Sequence, residues 1–180
     1  DDGNLLGQIT ADSSGGWSFT VDSRGALSDG SHAITAKAKT SSAGNLSSAS
    51  GALTITIDAS VPTAPSTPDL DSSSDTGSSN TDNVTSDSTP TFTGTAEASS
   101  TVELFAGVSS LGTTTADSSG NWSFTVGSSD ALSNGSHAIT AKATDAVGNV
   151  SNASSALTIS IDVSVPAAPS VPDMAADSDT

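Results

Sequence analysis

Short runs in which apolar or small residues alternate with Thr and Ser recur along the chain. Trp122, Phe124 and Val126 fall on one face of one such run, and Ser123 and Thr125 fall on the other. A period of two with a hydroxyl-rich outer face is typical of a half-buried antiparallel strand. Six runs have this pattern: residues 91–96, 101–106, 110–115, 121–126, 137–143 and 156–161.

The segments between the runs predict turns and one long connection. Gly, Ser, Asn and Asp separate the runs, and no stretch has a helical period. Residues 58–69 carry several prolines and predict an extended linker, while residues 70–88 are polar and aperiodic and predict a long loop. With one further short strand in or after the proline segment, the chain is expected to be all-β. About seven antiparallel strands in about 100 residues is the count of an immunoglobulin-like β-sandwich.

An internal repeat decides the domain organisation. The segment 10–21 recurs as 115–126, an offset of 105 residues that becomes 104 after a one-residue difference in a later loop. A period of this size indicates whole domains in tandem. The predicted organisation is the C-terminal part of one domain at 1–62, a complete domain at 63–166, and the start of a following repeat at 167–180.

The composition limits which binding partners the chain can have, and it favours cations that bind through oxygen atoms. The net charge is −16, with 4 Lys and Arg against 20 Asp and Glu, so nucleic acid is excluded as a partner. Of the acidic residues 18 are Asp and only Glu97 and Glu103 are Glu, and short carboxylates in Gly/Ser loops suit hard cations. The chain has no cysteine for disulfides or thiolate sites. No apolar run in this segment is long enough to span a bilayer.

Four motifs stand out along the chain: Ser-Asp-Thr-Gly (74–77), Thr-Pro-Thr-Phe-Thr-Gly-Thr-Ala-Glu (89–97), Thr-Ala-Asp-Ser-Ser-Gly-Asn-Trp-Ser-Phe (115–124) and Gly-Ser-His-Ala-Ile-Thr-Ala-Lys-Ala-Thr-Asp-Ala-Val-Gly-Asn (135–149). Together they resemble the bacterial Ig-like repeats of giant RTX-type surface adhesins and biofilm-associated proteins. The resemblance implies an extracellular, cell-surface stalk of calcium-stiffened sandwiches. Such a stalk projects a distal ligand-binding region for adhesion or biofilm formation, and its partners are the neighbouring repeats.

We expect one calcium site at the end of the complete domain that faces the preceding one. The loops after the first, third and fifth runs share one end of a sandwich, and they carry Glu97, Asp117 and Asp145. Asp58, just before the linker, is a further candidate ligand. Ca²⁺ takes six to eight oxygens, so carboxylates, carbonyls and water would suffice. The partial copy reads Lys39-Thr-Ser-Ser-Ala-Gly-Asn45 in place of the Asp145 loop, so its site is expected to be weak or absent.

A second group of carboxylates is expected at the opposite end. The long loop offers Asp75 and Asp82, with Asp71 and Asp87 nearby, and Asp162 follows the last strand. The competing interpretation is that Asp in such loops serves only to form turns through its own side chain. Both interpretations apply to Asp117. Three other aspartates are expected to be merely solvated: Asp22, Asp29 and Asp130.

The sequence does not support an enzyme. His32 and His137 occupy the same repeat position, and no nucleophile–base arrangement recurs beside them, which favours packed histidines at the edge of the core. Two alternatives to a spacer stay open. One is a glycan- or protein-binding module, for which Phe105 is the only outward aromatic residue of the complete copy. The other is a fibre subunit whose incomplete end domains associate between chains.

Overall fold

Two units make up the chain, Asp1–Ser60 and Val61–Thr180. The structure is a computed structural model that describes residues 4–23, 25–40 and 44–171. Residues 172–180, most of the predicted start of a third repeat, lie outside the described residues. Among the described residues, no helix is long and apolar enough to cross a membrane.

The first unit contains one antiparallel strand pair within its described residues. Strand β1 (Gly30–Ile34) pairs with β2 (Leu53–Ile57), and His32 lies opposite Ile55. His32 is buried, and its Nε2 lies 2.7 Å from the carbonyl oxygen of Ser28.

The second unit carries eight strands in two sheets. Five strands form one sheet in the order β4-β10-β9-β6-β7, and three form the other in the order β3-β5-β8. All pairings are antiparallel except that of β4 with β10. The strands are β3 (Asp69–Leu70), β4 (Val84–Thr85), β5 (Thr91–Thr95), β6 (Thr101–Ala106), β7 (Ser109–Thr115), β8 (Asn121–Thr125), β9 (Gly135–Thr144) and β10 (Leu157–Ile161).

The core of the second unit lies between the inward faces of these two sheets. Alternation along each strand places every second side chain inside, as the sequence predicts. Phe92 of β5 is fully buried, and Trp122 of β8 is 4% exposed. The other buried hydrophobic residues of the cluster are Leu70, Val102, Leu104, Leu111, Ala116, Val126, Leu132, Ile139, Ala141, Ile159 and Ile161.

The second unit has an entry end and an exit end. At the entry end, the N–H of Ser66 in the linker donates to the carbonyl of Thr95 at the end of β5 (2.9 Å). Thr101 at the start of β6 pairs there with both Thr115 and Thr144. At the exit end, Ile161 of β10 pairs with Gly135 at the start of β9. The chain therefore enters this unit at one end of the strands and leaves at the other.

The predicted all-β class is confirmed, and the six alternating runs coincide with β5 to β10. The prediction of one extended polar loop at 70–88 is wrong at Val84–Thr85, which forms β4. The sequence signal is weak there because β4 has two residues, and Val84 is exposed while Thr85 is buried. Together with β3 it brings the strand count to eight instead of about seven.

Candidate cation-binding site

A buried carboxylate without a full set of partners marks the loop between β3 and β4. Asp75 is 5% exposed. Its Oδ2 accepts a hydrogen bond from the N–H of Asn83 (3.2 Å), whereas its Oδ1 has no hydrogen-bond partner among the described residues. A buried carboxylate oxygen loses its hydration, so an unpaired one is unfavourable unless a cation or another donor meets it.

Asp75 lines a cavity of about 360 Å³ that is rich in oxygen atoms. The residues that line it include Asp69, Asp71, Asn80 and Asn83. Carboxylate, amide and hydroxyl oxygens are the ligands that Ca²⁺ and Mg²⁺ take, and Ca²⁺ tolerates irregular geometry. The residues present therefore fit a hard divalent cation.

Local hydrogen bonds fold the loop around this cavity. Oδ1 of Asp71 accepts from the N–H of Ser73 at 2.9 Å and from its hydroxyl at 2.6 Å, which closes an Asx turn. The hydroxyl of Ser74 accepts from the N–H of Thr91 on β5 at 3.0 Å. Asn83 has a φ of 59°, in the left-handed region that Asn tolerates better than most residues. The loop is thus ordered by its own polar side chains.

The other predicted ligands of the exit end lie next to β4. Asp82 is exposed, and its Oδ1 accepts from the N–H of Val84 (3.1 Å). The N–H of Asp162 donates to the carbonyl of Thr85 (2.9 Å), and the Asp162 carboxylate accepts from Ser164. The bond from the Ser164 hydroxyl lowers the pKa of Asp162, with a smaller contribution from the Ser164 N–H.

Asp117 at the entry end is engaged by its own turn. Its Oδ1 accepts from the N–H groups of Ser119 (2.8 Å) and Asn121 (2.9 Å). The bond from the Asn121 N–H is the largest influence that lowers the pKa of this carboxyl, followed by the one from Ser119. Asp12, its repeat counterpart, accepts in the same way from Ser14 and Gly16. Turn formation therefore accounts for both residues, and calcium binding by Asp117 stays a prediction.

The Asp145 carboxylate also accepts hydrogen bonds from its own loop, and it accepts more of them than the Asp117 carboxylate does. Its Oδ1 accepts from the N–H groups of Val147 (2.9 Å), Gly148 (2.8 Å) and Asn149 (2.9 Å), and its Oδ2 accepts from the Asn149 side chain (2.8 Å). Partial burial is the largest single influence and raises the pKa, but the bonds from Asn149, Val147 and Gly148 together lower it. Glu97 is exposed in the neighbouring loop.

Carboxylates and imidazoles are not gathered tightly in the part of the chain that the structure describes. No three such side chains lie close enough together there to hold one metal ion. A cation at Asp75 would therefore take most of its ligands from amide, hydroxyl and carbonyl oxygens and from water. Binding by Glu97, Asp117 and Asp145 as one group stays a prediction.

In the first unit, Asp29 is not merely solvated as the sequence suggests. Its Oδ1 accepts from the N–H of Ala59 (2.9 Å) and its Oδ2 from the hydroxyl of Ser60 (2.8 Å). The Ala59 bond is the main cause that lowers the pKa of Asp29. Asp58, a predicted ligand, is exposed, and its Oδ1 accepts from the N–H of Ser60 (3.1 Å).

His137 and Phe105, the remaining candidate residues, make contacts within the fold. His137 Nε2 lies 2.7 Å from the carbonyl oxygen of Ser133, which repeats the contact of His32 in the first unit. Phe105 is half-buried, with the Lys142 ammonium 5.7 Å from its ring centroid. Asp69, Asn80 and Asn83 are cavity residues that sequence reasoning missed. An Asp-Asn pair, Asp82–Asn83, was the available signal for the left-handed turn there.

Comparison with known proteins identifies the repeat. The family model of the bacterial Ig-like domain matches residues 1–59 and again 61–163. No curated protein sequence matches the chain. One similar solved structure is the BSP domain of a biofilm associated protein (20% identity, TM-score 0.38), with 77% of this chain and 20% of that one covered. Another is a Ca²⁺-stabilized adhesin that helps an Antarctic bacterium bind ice (24% identity, TM-score 0.40), with 73% and 32% covered. The chain thus spans about a fifth and about a third of those two structures.

Proposed function

Because the chain belongs to the family of bacterial Ig-like domains, we propose that it is a structural spacer of a bacterial surface adhesin. Residues 61–166 act as one sandwich of a tandem stalk that calcium stiffens. The stalk works outside the cell, as part of a secreted RTX-type protein that mediates adhesion or biofilm formation. It performs no catalysis, and its partners are calcium and the adjoining repeats.

The unpaired Oδ1 of Asp75 is the observation that carries the calcium part of the proposal. A polar side chain that is only 5% exposed needs a partner for that oxygen. A divalent cation supplies it and ties together a loop that has little apolar packing of its own. At a hundredfold excess over Kd, one such site adds about 2.7 kcal/mol to the free energy of unfolding.

The path of the chain supports the spacer role. The linker enters the second unit beside Thr95, and β10 leaves it at Ile161, at the opposite end of the strands. Entry and exit at opposite ends are what a spacer module of a tandem stalk requires. The net charge of −16 keeps such a chain soluble.

Calorimetric titration of Ca²⁺ into chelator-treated protein tests the site, with thermal melting as a second readout. We expect heat of binding and a higher Tm for the wild-type chain, and the loss of both for Asp75→Asn. Asp130→Asn is the matched control, because it removes the same charge from the same unit outside the cavity. Full binding by Asp75→Asn would show that the site is assigned wrongly, and no binding by the wild-type chain would refute the calcium proposal.

Small-angle scattering tests the spacer role. We expect the maximum dimension of the chain to be larger in calcium than in chelator, because the stiffened chain samples fewer bent conformations. Equal dimensions in both buffers, with calcium bound as shown by calorimetry, would contradict calcium stiffening while leaving the site intact.

A second candidate function follows from the first unit, in which several large apolar side chains are exposed. Trp17 is 60% exposed and Leu53 64% exposed, whereas the counterpart of Trp17, Trp122, is 4% exposed and lies opposite Gly94 of β5. A strand pair with the pattern of 91–106, supplied by another repeat or another chain, would cover this face. A synthetic peptide of residues 89–107 tests this with the Trp122→Phe variant, in which Trp17 is the only indole. A blue shift of the emission on peptide addition is expected, and an unchanged spectrum would contradict it.

A further inference from the structure

A second cavity opens at the exit end of the second unit. Its volume is about 310 Å³, close to the lower limit for a small-ligand site. The end of β6 and the start of β7 line one side, and the segment between β8 and β9 lines the other. Leu111 and Leu132 are 8% and 7% exposed, so part of the lining is apolar and shielded from water. Asp130 and His137 add a carboxylate and an imidazole.

Hydrogen bonds hold the lining segments in place. The N–H of Leu132 donates to the carbonyl of Ser88 at 2.8 Å. His137 Nε2 lies 2.7 Å from the carbonyl oxygen of Ser133, and since a carbonyl oxygen only accepts, the imidazole is the donor. The cavity is therefore formed before a ligand arrives, which lowers the entropic cost of binding.

The charge of this region favours a cationic ligand. Among the described residues that line the cavity, Asp130 is the one carboxylate. Its Oδ2 accepts from the Ser129 hydroxyl at 2.7 Å, and the residue is exposed, so a further donor can reach the carboxylate. Lys142 is the one Lys or Arg among residues 61–180, which contain 14 Asp and Glu. The unit therefore attracts cations and repels anions.

Two other ligand classes do not fit this lining. A metal ion would meet a single carboxylate and a single imidazole, and no three such side chains gather in the described part of the chain. A glycan would need an aromatic platform, but Phe105 lies on the opposite face of β6 from Ala106, which lines the cavity. An organic cation with an apolar stem does fit, because the carboxylate meets its charge and the leucines meet its stem.

We propose that this cavity binds the lysine side chain of a basic partner protein. The methylene stem lies against Leu111 and Leu132, and the ammonium donates to Oδ1 of Asp130. Lysine fits better than arginine, because the Ser129 hydroxyl already bonds Oδ2 and leaves one oxygen for a compact ammonium instead of two for a planar guanidinium. The negative charge of the unit steers a basic partner towards it. The second unit thus binds a partner in addition to spacing the array, and this binding does not depend on calcium.

The first unit supplies an internal control. Its counterparts of the two lining leucines are Leu6 and Leu27, whereas its counterpart of Asp130 is Gly25. The carboxylate is confined to the second unit, so lysine binding is expected there alone.

Amide NMR titration of the full chain with small amines, in chelator, tests the cavity. n-Butylammonium reproduces the lysine side chain, and methylammonium carries the same charge without the stem. We expect n-butylammonium to shift the amides of Leu111 and Leu132. It should bind at least about fivefold more tightly than methylammonium, because its stem is removed from water. The amides of Leu6 and Leu27 should not shift.

Two charge variants separate the cavity from general attraction to an acidic protein. Asp130→Asn is expected to weaken n-butylammonium binding at least about fivefold, because the ammonium loses its charged acceptor. Glu97→Gln removes an exposed charge at the entry end and should leave the binding unchanged. Equal affinities for the two amines, or equal losses in the two variants, would overturn the proposal.

A peptide tests whether a protein can present this group. Acetyl-Gly-Lys-Gly-amide is expected to shift the same amides as n-butylammonium, whereas its norleucine analogue, which has the stem without the charge, should not. Binding of the amine without binding of the lysine peptide would overturn the part of the proposal that concerns a protein partner. Because the titrations are done in chelator, their failure would leave the calcium site at Asp75 untouched.

Discussion

Two copies of one sequence pattern fold differently in this chain. Trp122 lies in Asn-Trp-Ser-Phe-Thr on β8 and is 4% exposed, whereas Trp17 lies in Gly-Trp-Ser-Phe-Thr and is 60% exposed. Residues 16–20 form no strand, although their sequence matches that of β8 almost residue for residue. Local pattern is therefore insufficient here to make a strand.

The missing partners explain the difference. β8 pairs with β5, which brings Phe92 across from Phe124, and β7 pairs with β6. Among its described residues the first unit has only the strands β1 and β2, and the counterparts of β7 and β8, residues 4–10 and 16–20, form no strand there. Strand formation depends on cross-strand pairing and burial more than on intrinsic preference.

The largest expected contrast lies in replacing the two tryptophans. Trp122→Ala removes a buried indole and should lower the free energy of unfolding by about 3–5 kcal/mol. Trp17→Ala removes a largely exposed one and should change it by about 0.5 kcal/mol or less. Urea unfolding followed by circular dichroism measures both. Equal losses would show that the first unit has a core of the same quality as the second.

A smaller contrast is expected at two equivalent glycines. Gly15 and Gly120 have φ values of 85° and 84°, so alanine strains both turns alike. A Cβ at Gly120 would also lie 2.6 Å from the carbonyl oxygen of Ala96, whereas one at Gly15 meets nothing within 4 Å. We expect Gly120→Ala to cost about 3 kcal/mol and Gly15→Ala about 1 kcal/mol, by the same unfolding measurement. A larger loss at Gly15 would reverse the comparison.

The smallest expected effect is a lowered carboxyl pKa in the equivalent turn of each unit. Hydrogen bonds within the turn lower the pKa of Asp12 and of Asp117 below the usual 3.8, with the Ser14 hydroxyl the main cause for the first and the Asn121 N–H for the second. Because the folded pKa is depressed, each turn is fully stabilised above pH 3.8 and loses this contribution as the pH falls through the folded value. Carboxyl ¹³C titration should give two depressed values. A value at or above 3.8 for either would contradict the turn geometry.

Much of the fold was accessible from sequence because it rests on alternation. The inward positions of β6, β8 and β9 follow from a period of two, and the Gly/Asp turns separate them. The failure at β4 has a physical cause: Val84–Thr85 is held by pairing with β10 and by the Thr85 hydroxyl, neither of which leaves a local pattern. Whether such a short strand forms is determined by tertiary contacts.

The candidate site was predictable only in part. An Asp-rich loop at 70–88 indicated cation chemistry, and Asp75 was among the named residues. Its burial, and the neighbours Asn80 and Asn83, depend on how the loop folds back over β4. Asp29 shows the converse. Its sequence context suggested only solvation, but in the folded chain its carboxylate accepts hydrogen bonds from Ala59 and Ser60, which are distant in the sequence.

Hydrogen–deuterium exchange with and without calcium tests the central claim, that a cation at Asp75 orders the second unit and not the first. In calcium, we expect the amides of Asn83, Ser160 and Asp162 to exchange at least about tenfold more slowly, because they bond within or beside the site. Amides of residues 4–23 should be unchanged. Unaltered exchange at those three amides, or equal slowing in residues 4–23, would contradict the account.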